Sequence, residues 1–213
     1  GVSSAASDVY KRQVKGDYYL SEREEEDLRY LAEMNKPVIL ILNAGGPVEL
    51  TDILEQTDNI KGILNISQLG QEGGDALADV LLGKEVPGGK LTTTWARRYE
   101  DYPASEEYGY LNGNLEKEKY KEGIYVGYRY FDSFDKKVMF PFGFGLSYTM
   151  FEMKCCSINM EESKIRAEVQ VTNTGNEYAG KEVVQIYVTL PQTELEKEYK
   201  SCRLDTSPSP RDA

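Results

Sequence analysis

The sequence predicts an α/β fold, an open and mostly parallel sheet with helices on both faces (an α/β/α sandwich), followed by a partial all-β immunoglobulin-like sandwich. Three observations predict it. Up to about residue 95, short β-rich apolar runs alternate with helical patterns. Glycine-rich loops follow two of these runs, as they do at strand ends in doubly wound sheets. Beyond Met150 the apolar spacing changes to strict alternation, which is typical of half-buried strands.

The first predicted element is a helix that ends near residue 35. Ser21 and Glu24 form a capping box at its start, in which each side chain satisfies a backbone N–H of the first turn. An apolar stripe at helical spacing follows and predicts the buried face of the helix. The stripe consists of Leu28, Leu31 and Ala32.

Two strands and two helices are predicted to follow in alternation. Residues 38–42 form a continuous apolar run, typical of a parallel strand covered on both faces, and residues 62–66 form a second strand. Residues 47–57 predict the helix between them. Residues 72–82 predict the next helix, with Gly83 as its C-cap. The inward positions are Leu50, Ile53 and Leu54 in the first of these helices, and Ala76, Leu77, Val80 and Leu81 in the second.

The rest of the chain predicts a loop and several strands. Residues 92–95 are β-rich, whereas residues 106–121 are polar without an apolar period and predict a solvated loop. Apolar residues alternate with polar ones over 165–171 and again over 184–188, with a turn between them at 173–176. Only about three strands fit before residue 200, whereas an immunoglobulin-like sandwich needs about seven. The second domain is therefore expected to be cut, with an exposed edge that is prone to pairing.

The two glycine-rich loops have several interpretations. They span residues 43–46 and 68–74, at the predicted carboxyl ends of two parallel strands, where such sheets bind ligands. Tight turns that let strand and helix pack closely are one explanation. Nucleotide binding is another, but neither loop has the spacing of a phosphate-binding fingerprint. Contact with a sugar is the third, because Gln71 and Glu72 can hydrogen-bond hydroxyl groups.

Aromatic residues and glycines are dense over residues 120–133 and 140–149. One interpretation is an aromatic cluster that joins two domains. The other is the wall of a sugar site, since aromatic rings suit the apolar faces of pyranoses and line ligand pockets. Tyr125 and Tyr128 are the candidates for sugar contact in this segment. Trp95 could also stack on a sugar, although a lone tryptophan is more often a core or interface residue.

Composition excludes several classes of function. The chain has 36 Asp and Glu against 25 Lys and Arg, and no basic cluster for a phosphate backbone, so no nucleic-acid partner is expected. Its longest apolar run, residues 38–42, is too short to span a bilayer, so no membrane partner is expected. Three cysteines, two of them adjacent at Cys155 and Cys156, define no disulfide framework. Histidine is absent, no metal site or cofactor is expected, and localisation is left open.

Five blocks of sequence together resemble the C-terminal α/β sandwich and the following fibronectin-III-like domain of family 3 glycoside hydrolases, the β-glucosidase and β-xylosidase group. No single block carries the resemblance, which runs in the family's order from about residue 14 to about residue 200. The blocks are residues 36–50, 70–91, 120–133, 140–149 and 171–188. The resemblance implies a sandwich domain over residues 14–149, incomplete at its N-terminus, and a truncated fibronectin-III-like domain over residues 150–200.

The same resemblance implies a mechanism. Retaining hydrolysis uses a carboxylate nucleophile and a second carboxylate as acid/base, about 5–5.5 Å apart. In this family the nucleophile is an Asp on a (β/α) barrel, which is absent from this chain and would be a partner domain of the same protein. The acid/base is usually a Glu shortly before the region that matches residues 14–21. No catalytic residue is therefore assigned, and Glu24, Glu72 and Glu122 have simpler roles in a capping box, at a helix N-terminus and in a loop.

Both ends of the chain suggest a different origin. Residues 3–13 and residues 206–213 back-translate into DNA that resembles transposase-type sequencing adapters, the second in reverse complement. Natural polar tails rich in Ser and Pro are the alternative. We therefore expect residues 1–13 and 201–213 to be non-native, and exclude them from the fold prediction.

Three functions are weighed. The first is a fragment of a retaining β-glycosidase that acts on small β-linked oligosaccharides or glucosides and is itself inactive. The second is a non-catalytic carbohydrate-binding or adhesion module, and the third is a flavodoxin-like binding domain. Upstream sequence with a Glu in a Gly-rich stretch would favour the first over the second. Flavin or nucleotide binding would favour the third.

Overall fold

The computed structural model describes residues 18–34, 36–106, 116–117, 120–161, 164–191 and 193–202. These fall into two compact units. The first unit takes its described residues from 1–70, 93–142 and 190–200, and the second from 71–92, 143–189 and 201–213. Most of the loop predicted at 106–121, and all of 1–13 and 203–213, lie outside the described residues.

Helix α1 of the first unit spans Glu22–Glu33 and confirms the predicted capping box. The Ser21 Oγ accepts the Glu24 N–H at 3.3 Å, and the Ser21 N–H donates to the Glu24 carboxylate at 2.8 Å. Leu28 is buried on the predicted face, whereas Leu31 is 37% exposed, so the buried stripe is narrower than expected.

Strands β1 (Val38–Leu42) and β2 (Ile60–Asn65) pair in parallel, as predicted. The expectation that β1 is covered on both faces is wrong for the described residues. Leu42 is buried, but Ile39 is 55% exposed and Ile41 is 37% exposed, because these two alternate onto the face that no described element covers. The two strands form a small parallel sheet with one open face.

Helix α2 (Thr51–Gln56) lies between the two strands in sequence, and buried residues of the unit lie in it and directly before it. Leu50 precedes it at 1% exposure and Ile53 is 5% exposed, which confirms both as inward positions. The helix is shorter than the predicted 47–57, since Pro47 and the following residues lead into it as an irregular segment. Burial of a leucine such as Leu50 contributes about 1.5–3 kcal/mol.

A second small sheet of the first unit pairs β3 (Trp95–Ala96) with β4 (Val138–Phe140) in antiparallel fashion. The predicted strand at 92–95 is thus shorter and begins later. Helix α4 (Tyr128–Ser133) forms from the aromatic segment, with Phe131 only 2% exposed.

The second unit contains helix α3 (Gly73–Leu81), close to the predicted 72–82. Gly83 follows with a φ of 71°, and its N–H donates to the Val80 carbonyl, so the predicted glycine cap is confirmed. Leu77 and Val80 are half-buried, but Leu81 is 43% exposed, so the helix has no fully buried residue.

The segment at Lys90 and Leu91 in the second unit is joined to residues 143–144 by backbone hydrogen bonds and to Glu182 by an ion pair. The Leu91 N–H donates to the Phe144 carbonyl, and the Gly143 N–H donates to the Leu91 carbonyl, both at 2.8 Å. The Lys90 ammonium contacts the Glu182 carboxylate at 2.8 Å with both side chains mostly buried. These contacts explain why residues 71–92 group with 143–189, a division that differs from the expected boundary at 149, which stays a prediction.

A long antiparallel ribbon of β5 (Phe151–Glu161) and β6 (Lys164–Asn173) dominates the second unit. A bulge at Cys156 shifts the register between Cys155 and Ser157, so the alternation expected for the adjacent cysteines does not hold there. Because of the bulge, the apolar pairs before it and after it lie on the same face of the ribbon. These pairs are Met153 with Val171, Cys155 with Val169, Ile158 with Ala167, and Met160 with Ile165.

The last strands are short. The strand expected over 184–188 is reduced to β7 (Tyr187–Val188), which pairs with β8 (Ser201–Cys202). Strand β8 lies at the start of the range expected to be non-native, and that expectation stays a prediction. The described strands therefore form four two-stranded sheets, smaller than the predicted sandwiches.

Candidate functional site

The carboxyl ends of β1 and β2 lie side by side, which is where ligands bind in sheets of this class. The Ile66 N–H donates to the Leu42 carbonyl at 2.9 Å and extends the pairing to the point where both strands end. Asn43 and Gly45 follow β1, and the turn at Ser67 and Gln68 follows β2. We call the residues 43–46 and 67–70 together the strand-end loops.

The strand-end loops touch through Gln68 and Gly45. A Cβ atom built on Gly45 would lie 3.4 Å from the Gln68 carboxamide, so the side chain rests against bare backbone. Ser67 and Gln68 have φ values of 46° and 45°, the left-handed conformation that side chains other than Asn, Asp and His rarely adopt. The sequence did not single out these two residues, because neither residue type signals such a turn.

Gln71 and Glu72 are exposed in the second unit, where they precede helix α3. Glu72 is the N-cap residue, but its side chain makes no capping hydrogen bond. Both side chains are therefore accessible in the second unit, and their predicted contact with sugar hydroxyls stays a prediction.

Tyr125 and Tyr128 are half-buried in the first unit, beside and within helix α4. The Tyr128 ring stacks on Phe142 with centroids 4.9 Å apart, and the Arg129 guanidinium lies 5.8 Å from the Tyr128 centroid. The Tyr125 ring meets Phe134 edge-on at 4.9 Å. Both rings are thus fixed in orientation by aromatic neighbours, as either predicted role requires.

The Tyr125 hydroxyl reaches a separate segment of the first unit. It donates to the Lys197 carbonyl at 3.4 Å. Desolvation raises the pKa of this hydroxyl, and the Glu196 carboxylate acts in the same direction. The raised pKa keeps the hydroxyl protonated at neutral pH, as its donation to Lys197 requires.

Trp95 is only 3% exposed and packs edge-on against Phe140 at 5.8 Å. The ring thus serves the core of the first unit, the role that the sequence favoured over sugar stacking. Its predicted contact with a substrate stays a prediction.

A carboxylate and arginine cluster is the main electrostatic feature that the sequence analysis missed. The Glu49 carboxylate accepts the Tyr99 N–H at 2.9 Å and lies 3.8 Å from Arg98, which contacts Asp52 at 2.8 Å. Burial raises the pKa of the Glu49 carboxyl, although the Tyr99 N–H and Arg98 oppose the shift. The cluster ties the segment before α2 to the segment after β3, and its residues carry no sequence signal because they meet only in the folded chain.

Tyrosines surround one side of this cluster. The Glu49 N–H donates to the Tyr18 carbonyl at 2.7 Å, and the Tyr18 ring lies 5.3 Å from Tyr99 and 5.6 Å from Tyr102. Burial raises the pKa of the Tyr18 hydroxyl, and burial together with Glu100 raises the pKa of Tyr19 to about 12. Neither hydroxyl is suited to act as a base at neutral pH.

No group of three or more potential metal-binding side chains occurs among the residues that the structure describes. Within the same residues, no helix has both the length and the apolar character that crossing a membrane requires.

A family model, that of the glycosyl hydrolase family 3 C-terminal domain, matches residues 3–128. The matched range begins within the segment that the sequence predicts to be non-native, so that prediction stays open to test. Beta-glucosidase A of Butyrivibrio fibrisolvens is 40% identical over 203 residues, which cover 87% of this chain and 24% of the relative. Thermostable beta-glucosidase B of Acetivibrio thermocellus is 39% identical over 175 residues, covering 79% of this chain and 22% of the relative.

Solved structures agree with the sequence relatives. Beta-glucosidase 3B from Thermotoga neapolitana, in complex with alpha-D-glucose, matches with a TM-score of 0.79 and 40% identity over 88% of this chain and 26% of that protein. The chain therefore spans about a quarter of the length of the relatives that it matches.

Proposed function

The chain belongs to the glycosyl hydrolase family 3 C-terminal domain family. On this basis we propose that it forms the α/β part and some of the β-domain of a retaining β-glycosidase. The proposed enzyme releases terminal sugars from small β-linked oligosaccharides and glucosides. The observation that carries the proposal is the similarity to β-glucosidases, at about 40% identity over most of this chain.

The proposed division of labour follows from the chemistry of the reaction. Two carboxylates must flank the glycosidic bond, one as nucleophile and one as acid/base. The acidic groups of the strongest candidate cluster already have other partners, since Arg98 contacts Asp52 and the Tyr99 N–H donates to Glu49. We therefore place the catalytic pair in other parts of the whole enzyme. We assign to this chain a structural role beside the active site and loops that contact the sugar.

Two activity measurements test this proposal. The purified chain should not hydrolyse an aryl β-glucoside, because binding groups alone do not replace a nucleophile and an acid/base. A chimera of the Butyrivibrio fibrisolvens relative, in which residues 14–200 of this chain replace the matching segment, should hydrolyse the same substrate.

The matched control is the same chimera with Leu50→Asp, which introduces a charge into the core and should abolish activity through misfolding. A folded chimera without activity would contradict the proposal. Reproducible turnover by the chain alone would contradict the placement of the catalytic pair. Sugar binding by the chain together with a folded but inactive chimera would favour the alternative, a non-catalytic carbohydrate-binding module.

A further inference from the structure

The turn that follows β2 holds two residues in a conformation that costs free energy. Ser67 and Gln68 are consecutive and both have left-handed backbone angles, with φ near 46°. Each such residue costs about 1–2 kcal/mol relative to ordinary backbone. Asp135 is the other described non-glycine residue with positive φ, but aspartate tolerates this conformation because its short side chain hydrogen-bonds locally.

The strained turn lies beside polar side chains that make no hydrogen bond with other described residues. Among the described residues, the side chains of Asn43, Ser67 and Gln68 make no hydrogen bond with another residue, and all three are exposed. They stand at the carboxyl ends of two neighbouring parallel strands, where sheets of this class present binding groups. Strained residues that the fold does not need for packing are concentrated at ligand sites.

The Gln68 side chain lies close to the other strand-end loop. Its carboxamide lies against Gly45, where any side chain would come within 3.4 Å of it. Leu69, the next residue, is 44% exposed and adds an apolar surface beside the amide. A primary amide beside an exposed apolar residue can offer a donor, an acceptor and a hydrophobic contact to one ligand.

We propose that Gln68, with Asn43 and Leu69, binds a sugar ring of the substrate through two adjacent hydroxyl groups. This inference rests on the proposed function and identifies a specificity-determining site within it. The primary amide pairs with neighbouring hydroxyls, since its oxygen accepts one hydrogen bond while its NH2 donates another. In this proposal the amide beside Gly45 pairs with the hydroxyls, and exposed Leu69 contacts the apolar face of the ring.

The test is a titration of the 213-residue chain with cellobiose, followed by amide NMR signals. We expect shifts that are confined to the strand-end loops, above all Gly45, Ser67 and Gln68. Gln68→Ala should weaken binding by at least about fivefold, as expected for the loss of one or two net hydrogen bonds. Gln170→Ala is the matched control, because Gln170 is an exposed glutamine on the polar face of β6, and its loss should leave the affinity unchanged.

A second variant separates the side chain from the strain. Gln68→Gly removes the amide but relieves the backbone, so it should lose affinity as Gln68→Ala does, while its unfolding midpoint stays equal to or rises above that of the parent. Unchanged binding by Gln68→Gly would overturn the proposal. So would the absence of localised shifts up to about 50 mM cellobiose, a range that covers very weak sugar binding. These outcomes are independent of the chimera, whose hydrolysis tests the proposed function separately.

Discussion

Both units expose large apolar side chains, but among the described residues only the first unit also has a set of fully buried ones. The fully buried apolar residues of the described chain all belong to the first unit: Leu28, Leu42, Val48, Leu50, Ile53, Trp95, Ala96 and Phe131. The fully buried residue that the structure describes in the second unit is Thr149. On the apolar face of its ribbon, Ile158 is 69% exposed and Met160 is 78% exposed.

This difference indicates that each unit is stabilised internally by a different kind of interaction. Side-chain packing in the first unit removes apolar surface from water, which is the largest favourable contribution to folding. The second unit relies on the backbone ladder between β5 and β6 and on polar contacts between its loops. Substitutions should therefore act on the two units through different physical terms.

The largest expected effect is in the core of the first unit. Leu50→Ala should lower the free energy of unfolding by about 3 kcal/mol, because it removes a buried side chain and leaves a cavity. Leu195→Ala, also in the first unit but 75% exposed, is the matched control and should change stability very little. Urea denaturation followed by Trp95 fluorescence measures both. Equal destabilisation by the two variants would contradict the assignment of Leu50 to a buried core of the first unit.

The second effect concerns the ion pair of the second unit. Lys90→Met should cost about 1–3 kcal/mol, since it removes the cationic partner of the Glu182 carboxylate and the donor to the Gly145 carbonyl. Lys84→Met removes an exposed ion pair with Asp79 and should have almost no effect. Thermal unfolding followed by circular dichroism measures both variants. Equal unfolding midpoints would show that these loop contacts do not stabilise the unit.

The same pair gives a pH dependence. The hydrogen bond from Lys90 lowers the pKa of the Glu182 carboxyl in the folded chain. A depressed folded pKa means stabilisation that is present above the usual Glu range and is lost as the pH falls through the lowered value. Lys90→Met should remove this loss. Thermal midpoints of parent and variant between acidic and neutral pH provide the measurement.

A smaller effect of opposite sign is expected for Glu49 in the first unit. Burial raises the pKa of this carboxyl, so the folded chain holds the proton more tightly than the unfolded chain does. The contribution of this group to stability should then decline as the pH rises from the usual Glu range through the raised value. Glu49→Gln should flatten that decline, and an unchanged pH profile would count against the burial of the charge.

The smallest effect on stability is expected for the apolar face of the ribbon. Met160→Lys should leave the free energy of unfolding within about 0.5 kcal/mol of the parent, because Met160 is exposed. It should nevertheless reduce self-association, since exposed apolar patches favour it. Light scattering against concentration measures the change, with Arg166→Lys on the polar face as control. A clear loss of stability in Met160→Lys would show that this face is covered.

Local signals explain most of what the sequence predicted correctly. The capping box at Ser21 and the glycine cap at Gly83 depend on neighbouring residues, and both were found as expected. The parallel pairing of β1 and β2 followed from the alternation of strands and helices. These features need no information about distant parts of the chain.

Features that depend on distant residues were predicted poorly. The expected strand at 184–188 shrank to Tyr187–Val188, because strand length requires a partner that sequence alternation does not supply. Exposure of Ile39 could not be foreseen, since it depends on which elements cover the sheet. The raised pKa of Glu49 arises where segments about 50 residues apart in sequence meet. The left-handed turn at Gln68 has no signal in its residue type.

The bulge at Cys156 gives β5 an unusual tolerance for changes of length. Cys155 pairs with Val169 and Ser157 pairs with Glu168, so Cys156 is the one residue of this stretch without a counterpart on β6. Deleting it would preserve every pair on both sides and leave each side chain on its present face, whereas deleting a neighbour such as Ile158 would invert the faces beyond it. Among related proteins, single-residue insertions and deletions in this strand should therefore accumulate at this position.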